Sequence, residues 1–196
     1  MINDNLPVRA TPLSGEEKEG LLLHHITTRD ELNRWEQENI NAAIEWSFSL
    51  KNPPLLTIDF ALKLHKEMFG IVWKWAGTFR TSEKNIGILH WQIQPELKKL
   101  LDDVDFWIKN GSYQDKDELA ARLHHRLVAI HPFPNGNGRH GRLFTELAQK
   151  HLLQAKPFTW GASSLTSSGP VRKRYIESLY EADNGNYKSL IEFARL

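Results

Sequence analysis

Cysteine is absent from this chain, so no disulfide can stabilise its 196 residues, and that composition suits the reducing cytoplasm. Long apolar runs are absent too. No segment approaches the roughly 18 residues of a membrane span, and residues 1–9 lack the apolar region of a secretory signal. An excess of charge of either sign is absent as well, because 25 Lys and Arg residues nearly balance 24 Asp and Glu residues, for a formal net charge of +1. We therefore expect a cytoplasmic protein that binds neither nucleic acid nor membrane.

The spacing of apolar residues predicts an all-α fold, a helical bundle, for most of the chain. Thr28 and Glu31 form a capping-box pattern that begins one helix, and a second helix begins at Thr57 and ends at Gly70. Further helices are predicted over residues 95–108, 117–130, 137–154, 172–182 and 187–195. Residues 1–27 are predicted to be an N-terminal arm, and residues 28–196 a single domain.

The segment with the most chemical information is residues 131–142, His-Pro-Phe-Pro-Asn-Gly-Asn-Gly-Arg-His-Gly-Arg. Apolar residues recur at helical spacing on both sides of it, at positions 119, 123, 127 and 130 and at positions 143, 144, 147 and 152. The segment is therefore predicted to be a loop between two helices, and its glycines open the second helix.

That position favours phosphate binding. The first turn of a helix has backbone N–H groups without intrahelical partners and the positive end of the helix dipole. Gly136 and Gly138 let this backbone approach an anion closely. Arg139 and Arg142 are three residues apart on one helical face and offer forked donors to phosphate oxygens. His131, on the other side of the loop, suits proton abstraction at neutral pH.

These residues resemble the signature of the Fic (filamentation induced by cAMP) family, His-Pro-Phe-x-acid-Gly-Asn-Gly-Arg-x-x-Arg, at every fixed position but one. Residues 75–80, Trp-Ala-Gly-Thr-Phe-Arg, resemble the stretch that leads into the family's target-docking hairpin. Residues 175–190 are similar to its closing segment. The chain also resembles the short Fic proteins called mobile mystery protein B. The resemblance implies a Fic-type helical bundle with a small β-hairpin flap.

Fic proteins typically transfer AMP from ATP to a hydroxyl side chain of a target protein. The resemblance implies that His131 deprotonates the attacking Ser, Thr or Tyr hydroxyl and that Phe133 anchors the loop in the core. The phosphate-transferring Doc branch carries Lys where this chain has Gly138. The resemblance therefore favours a protein adenylyltransferase, with ATP as co-substrate and a protein as target.

The same resemblance assigns the nucleotide to Asn135, Gly136, Asn137, Gly138, Arg139 and Arg142. Asn137 and the two glycine amides would surround the α- and β-phosphates, Arg139 would contact the β-phosphate, and Arg142 the γ-phosphate. Asn135 departs from the pattern, because most active members have an acid there that binds Mg²⁺. An amide oxygen can coordinate Mg²⁺ or Mn²⁺ without contributing charge, so we expect weaker metal binding at Asn135.

Residues 78–91 break the helical period, and they are predicted to form a short hairpin or flap. In Fic proteins this hairpin holds the target by strand addition. The flap residues are Thr81, Ser82, Glu83, Lys84, Asn85, Ile86, Gly87 and Ile88. The alternative interpretation is an ordinary surface loop.

Many Fic proteins are restrained by a Ser/Thr-x-x-x-Glu-Gly/Asn helix whose Glu pairs with the second motif Arg. Such a helix would lie within residues 28–50, where Glu38 and Asn39 match and Arg34 replaces the hydroxyl residue. We expect Glu38 to pair with Arg142; the alternative is a solvated Glu38. The predicted inward stripe of this helix is Leu32, Trp35, Asn39, Ala42, Ala43 and Trp46. An antitoxin-like regulatory protein is a further candidate source of inhibition.

Three features of the sequence are also compatible with other interpretations. The Gly-Asn-Gly turn alone is compatible with a tight connection, but a connection explains neither the arginine pair nor His131. His124, His125 and His140 invite a metal site, yet His124 is more simply a packed residue behind the loop. Finally, Asn135 keeps open a nucleotide-binding module of low activity that acts through a partner protein.

Overall fold

The computed structural model describes residues 14–162 and 169–196. Within those ranges the chain forms helices and no strand. The α-helices are α1 Gly15–Glu19, α2 Arg29–Ser49, α3 Ile58–Phe69, α4 Ile93–Asn110, α5 Lys116–Ile130, α6 Asn137–His151, α7 Pro170–Asp183 and α8 Lys188–Ala194. Short 3₁₀ turns occupy His90–Gln92 and Trp160–Ala162. The predicted all-α fold is therefore confirmed.

Local capping explains where several of these helices begin. Thr28 caps α2 in a capping box with Glu31, and Thr57 caps α3 through the Phe60 N–H. The predicted starts of these two helices are correct. Asp115 caps α5 one residue earlier than predicted, and α6 ends three residues before its predicted end because Leu152 is its C-cap.

The core surrounds α5 and α6, which pack against each other in the middle of the molecule. Helices α4, α7 and α8 also pack on α5, whereas α2 and α3 pack on α6. Leu123, Phe144 and Leu147 are fully buried between these layers. Because the connection from α5 to α6 is the motif of residues 131–142, two closely packed central helices position the candidate site.

The part of the predicted N-terminal arm that the structure describes is residues 14–27; residues 1–13 lie outside it. A capping box of Ser14 and Glu17 begins α1. This short helix was not predicted from the sequence. The chain then runs antiparallel to residues 72–74, with backbone bonds from Leu22 N to Val72 O and from Lys74 N to Gly20 O, at 2.9 and 2.8 Å. These bonds fix the described part of the arm to the segment that precedes the flap.

The predicted β-hairpin flap is not observed, since residues 78–91 have no strand pairing. The buried guanidinium of Arg80 donates to the backbone carbonyls of Ser82 and Ile88. Those acceptors are therefore bonded to a side chain instead of to an opposite strand. Gly87 also has a left-handed φ of 105°. The flap is consequently an irregular loop closed around one arginine.

Among the described residues, no helix is both long and apolar enough to cross a membrane.

Candidate active site

A cavity of about 560 Å³ lies beside the start of α6. One wall is the loop of residues 131–142, and the flap contributes residues 86–88 to the opposite wall. The first turns of α2 close one side, and residues of α5 and α7 extend the cavity away from the loop. The structure thus brings His131, both motif arginines and the flap together in one cleft.

The loop is anchored by its own buried side chains. Phe133 is fully buried, and Asn137 is 3% exposed. The Asn137 side chain accepts from Phe133 N and donates to Phe133 O, both at 2.8 Å. The Asn137 side chain is thus engaged within the loop, and the Asn137 backbone N–H lies in the first turn of α6, where helices leave donors unpaired. The expected contact of Asn137 with the phosphates stays a prediction.

Gly136 is the N-cap of α6, with a left-handed φ of 79°. A Cβ atom there would lie 2.6 Å from the Phe69 ring, so only glycine fits this backbone path. The N–H groups of the next residues begin a helix and have no intrahelical acceptor. The first turn of α6 therefore presents backbone donors at the cavity, as a phosphate site requires.

Asn135 is engaged inside the loop. Its Oδ1 accepts from Gly136 N at 2.7 Å and lies 3.4 Å from Arg139 Nη2. An oxygen that accepts from a guanidinium is a weak ligand for a cation. Among residues 14–162 and 169–196, no group of three His, Cys, Asp or Glu side chains could hold a metal. The protein thus offers a metal one neutral oxygen at this position.

The two motif arginines have different surroundings. Arg139 Nη1 contacts Glu36 Oε2 at 2.6 Å, and its guanidinium carbon lies 4.7 Å from the Phe69 ring centre. Arg142 lies deeper, with its guanidinium carbon 5.8 Å from the Tyr175 ring centre. Burial lowers the pKa of Arg142, although the group remains cationic at any physiological pH. Both line the cavity.

His131 ends α5 in a left-handed conformation, with φ 54°, and its residue is 5% exposed. The backbone carbonyl of His131 accepts from Arg80 Nε at 2.7 Å. Gly87 of the flap covers the side chain so closely that an added Cβ would lie 2.7 Å from His131 Cβ. Burial, together with the nearby charges of Arg80 and Lys84, lowers the pKa of His131 to about 4. The imidazole is therefore neutral, which a general base requires.

The prediction that Glu38 pairs with Arg142 is wrong. Glu38 is exposed, whereas Glu36 is buried and contacts Arg139. The predicted inward stripe is rotated, because Trp35 is 37% exposed and the buried face passes through Glu36. Burial would raise the pKa of Glu36, but the charge of Arg139 and the hydrogen bonds from Arg139 and Trp73 outweigh it and lower the pKa.

Several polar residues of the site were not assigned from the sequence. His124 is fully buried and its Nε2 lies 2.8 Å from the Tyr175 hydroxyl, so it packs behind the loop as expected. His125 Nε2 contacts Asp183 Oδ1 at 2.7 Å at the far end of the cavity. His65 lies under the loop, with its Nε2 3.0 Å from Asn135 O. The sequence feature that could have identified Glu36 is its spacing, because it is a charged residue four positions after the buried Leu32 on the same face of α2.

Comparisons with known proteins agree with this geometry. The Fic/DOC family model matches residues 55–148. "Protein adenylyltransferase fic-1" of Caenorhabditis briggsae is 30% identical over 143 residues, which are 70% of this chain and 26% of that protein. "Uridine 5'-monophosphate transferase" of Xanthomonas campestris pv. campestris (strain 8004) is 48% identical over 52 residues, 26% of this chain and 10% of that protein.

The fold is also shared with solved structures. The BepC protein of Bartonella tribocorum, solved with bound AMPPNP, superposes with a TM-score of 0.68 at 18% identity. That match covers 93% of this chain and 97% of the BepC chain. The helical fold is therefore that of a Fic domain, and the chain belongs to the Fic/DOC family. It spans about a quarter of the C. briggsae relative, and its membership of the mobile mystery protein B subgroup stays a prediction.

Proposed function

We propose that this chain is a protein adenylyltransferase. The observation that carries the proposal is the meeting of His131, the first turn of α6 and both motif arginines in one cavity. The hydroxyl oxygen of a target Ser, Thr or Tyr attacks the α-phosphorus of ATP. The bond from that phosphorus to the oxygen bridging to the β-phosphate breaks, and pyrophosphate leaves. The hydroxyl proton passes to the imidazole of His131.

The cavity suggests how the nucleotide lies. The phosphates meet the backbone donors of α6, with Arg139 and Arg142 neutralising their charge. The opposite end is lined by Ile176, Leu179 and Tyr180 of α7, which suit the flat face of a base. Negative phosphates beside His131 raise its pKa above the low value of the ligand-free protein, towards the range of an effective base.

A metal would enter with the nucleotide. Mg²⁺ or Mn²⁺ bound to ATP would find one protein ligand at this position, the Asn135 amide oxygen, after that oxygen leaves Gly136 and Arg139. The metal would supply charge stabilisation to the phosphates. A Fic protein with this donor set depends more on its arginines than one with a carboxylate at position 135.

Restraint of the site is proposed for Glu36 instead of Glu38. Both carboxylate oxygens of Glu36 are engaged, one with Arg139 and one with Trp73 Nε1 at 2.7 Å. Arg139 is the residue proposed for the β-phosphate, so Glu36 competes with the nucleotide for it. We expect Glu36→Gln to tighten ATP binding about tenfold, the equivalent of one charged hydrogen bond. Glu38→Gln, on the exposed face of the same helix, is the matched control.

The target is proposed to reach His131 along the flap. Residues 86–88 line the cavity, and Gly87 lies against the Cβ atom of His131, so a target hydroxyl that reaches the imidazole meets this part of the flap. Strand addition to the flap stays a prediction, as do an antitoxin-like partner, the lack of nucleic-acid binding and a cytoplasmic location.

The deciding experiment uses ATP labelled on the α- or the γ-phosphate, in cell extract, with Mg²⁺ or Mn²⁺. The proteins are the wild type, Glu36→Gln and His131→Ala. Transfer of the α-label that increases in Glu36→Gln and disappears in His131→Ala supports the proposal. Transfer of the γ-label would mean phosphotransfer. Labelling from α-labelled UTP in preference to ATP would instead match the reaction named for the Xanthomonas relative.

A second candidate function is a nucleotide-binding module of low activity. The observation that favours it is the neutral Asn135 side chain, whose oxygen already accepts from Gly136 and approaches Arg139. ATP binding without any label transfer, even in Glu36→Gln, would support this candidate. Asn135→Asp then tests the cause, because a large gain of transfer would show that the missing carboxylate limits the wild-type protein.

A further inference from the structure

His65 lies on α3, remote in sequence from the motif, and is fully buried. Its Nδ1 accepts from Gly77 N at 3.0 Å, and its Nε2 lies 3.0 Å from Asn135 O. A backbone N–H only donates and a carbonyl only accepts, so the ring is neutral with its proton on Nε2. One imidazole therefore joins the Trp-Ala-Gly turn before the flap to the phosphate-binding loop.

The rings around His65 form a support for the loop. Phe133 stacks on the imidazole at 3.7 Å between ring centres and 13° between planes, and Phe69 lies at 4.8 Å on α3. Gly136 runs directly over this support, since a Cβ there would lie 2.6 Å from Phe69 and 3.3 Å from His65 Nε2. The distance between the loop backbone and α3 is thus set by His65 and Phe69.

The bond to Asn135 O also sets the direction of the loop. It draws that carbonyl down to α3, and the chain then turns at Gly136 into the first turn of α6, whose N–H groups open on the cavity. Rotation of the peptide group between residues 135 and 136 would turn the carbonyl towards the cavity and repel a phosphate. A side chain outside the signature therefore controls the orientation of the anion site.

We propose that His65 is a positioning residue for the phosphate-binding loop, acting through the Asn135 carbonyl. The inference rests on the proposed function for its consequence, nucleotide affinity. Its cause, the conformation of the loop backbone, is measurable in the ligand-free protein. A purely structural histidine would stabilise the fold without affecting either one.

Three substitutions separate the two contacts. Counted from Cβ, the amide nitrogen of Gln reaches the position of His Nε2, and the amide oxygen of Asn that of His Nδ1. His65→Gln therefore keeps a donor for Asn135 O, whereas His65→Asn keeps only an acceptor for Gly77 N. His65→Phe keeps the stacking and loses both bonds. Leu64→Ala is the control: Leu64 is the adjacent, fully buried residue of α3, and its truncation lowers stability through a cavity.

The first measurement is the dissociation constant of a non-hydrolysable ATP analogue by calorimetry, at a temperature where each variant is folded. We expect about tenfold weaker binding in His65→Asn and His65→Phe, the loss of one buried hydrogen bond. His65→Gln should stay within about threefold of the wild type, and Leu64→Ala should bind as the wild type does. The inference would be overturned if all three histidine variants bound the analogue with the same affinity, or if Leu64→Ala weakened binding as much as His65→Phe does.

The second measurement is the set of backbone amide resonances of Gly136 and Gly138 in the ligand-free protein. They should shift or broaden in His65→Asn and His65→Phe and stay in place in Leu64→Ala. This readout needs no nucleotide, so it tests the positioning role even if the wild type fails to bind ATP. Failure of the wild type to bind would count against the proposed function alone. Unmoved resonances in His65→Phe would count against the inference alone.

Discussion

The two walls of the candidate site are built in different ways. The loop of residues 131–142 is held by buried contacts, with Asn137 bonded to Phe133 and His65 bonded to Asn135. The flap of residues 81–88 is held mainly by charged side chains, Arg80 from below and the Lys84–Glu17 pair from α1. The first wall is part of the core, whereas the second is attached to it. The difference explains why the fixed half binds phosphate in our proposal and the attached half admits a target.

Acid should break the loop wall first, and this is the largest effect we expect. Burial lowers the pKa of His124 to about 3 and those of His131 and His140 to about 4. The unfolded chain protonates these residues near pH 6.5, but the folded protein does not. Their contribution to stability is therefore present above pH 6.5 and is lost as the pH falls towards 4. These three groups give a limiting slope of about 4 kcal/mol per pH unit below pH 6, and His65, whose pKa burial also lowers, adds to it.

Denaturant unfolding between pH 7 and pH 5 measures that slope. His140→Gln removes one titrating group and should make the slope shallower by about 1.4 kcal/mol per pH unit. Since the protein loses stability before His131 is protonated, activity should fall with the folded fraction in this range. A pH-independent free energy of unfolding, or an unchanged slope in His140→Gln, would contradict the burial of neutral histidines behind the loop.

Asn137→Ala tests the loop wall directly. It leaves the N–H and carbonyl of buried Phe133 without their partner, at a cost of about 3 kcal/mol in the free energy of unfolding. Asn137→Asp keeps the acceptor but sets a buried carboxylate oxygen against the Phe133 carbonyl, so its loss should be at least as large. Chemical denaturation of the two variants checks the order. Equal stability of the wild type and Asn137→Ala would mean that the loop does not depend on this side chain.

The two walls also differ in how much of each could be predicted from the sequence. The loop and its flanking helices follow from a short pattern, because residues close in sequence determine a helix start. The conformation of the flap and the identity of the restraining Glu depend on contacts between groups that a local sequence pattern does not bring together. Nothing local shows that Arg80 takes the carbonyls of Ser82 and Ile88. Glu38 was predicted because Glu38 and Asn39 match the inhibitory pattern of the family, but a pattern match does not show which face of α2 turns towards Arg139 and Arg142.

Arg80 joins the two walls, and its removal should loosen both. It is 2% exposed and donates to the carbonyls of His131, Ser82 and Ile88. Arg80→Met leaves three acceptors unsatisfied but also removes a buried charge, so we expect a net loss of about 2 kcal/mol. Arg80→Lys keeps the charge and should lose less stability. Label transfer should fall more steeply than ATP-analogue affinity, since the flap and His131 move while α6 stays. Equal losses of the two would place Arg80 with the loop alone.

The smallest expected effect is the coupling between the flap and α1. Lys84 Nζ lies 2.5 Å from Glu17 Oε2, and the two side chains are 5% and 13% exposed. A double-mutant cycle of Lys84→Met and Glu17→Gln isolates this pair from the other contacts of each residue. We expect a coupling of about 1 kcal/mol, near the upper end for ion pairs of this kind. The Lys98–Asp102 pair on α4, with side chains 59% and 61% exposed, is the control and should give about 0.3 kcal/mol. A Lys84–Glu17 coupling no larger than that of the control would show that α1 does not hold the flap.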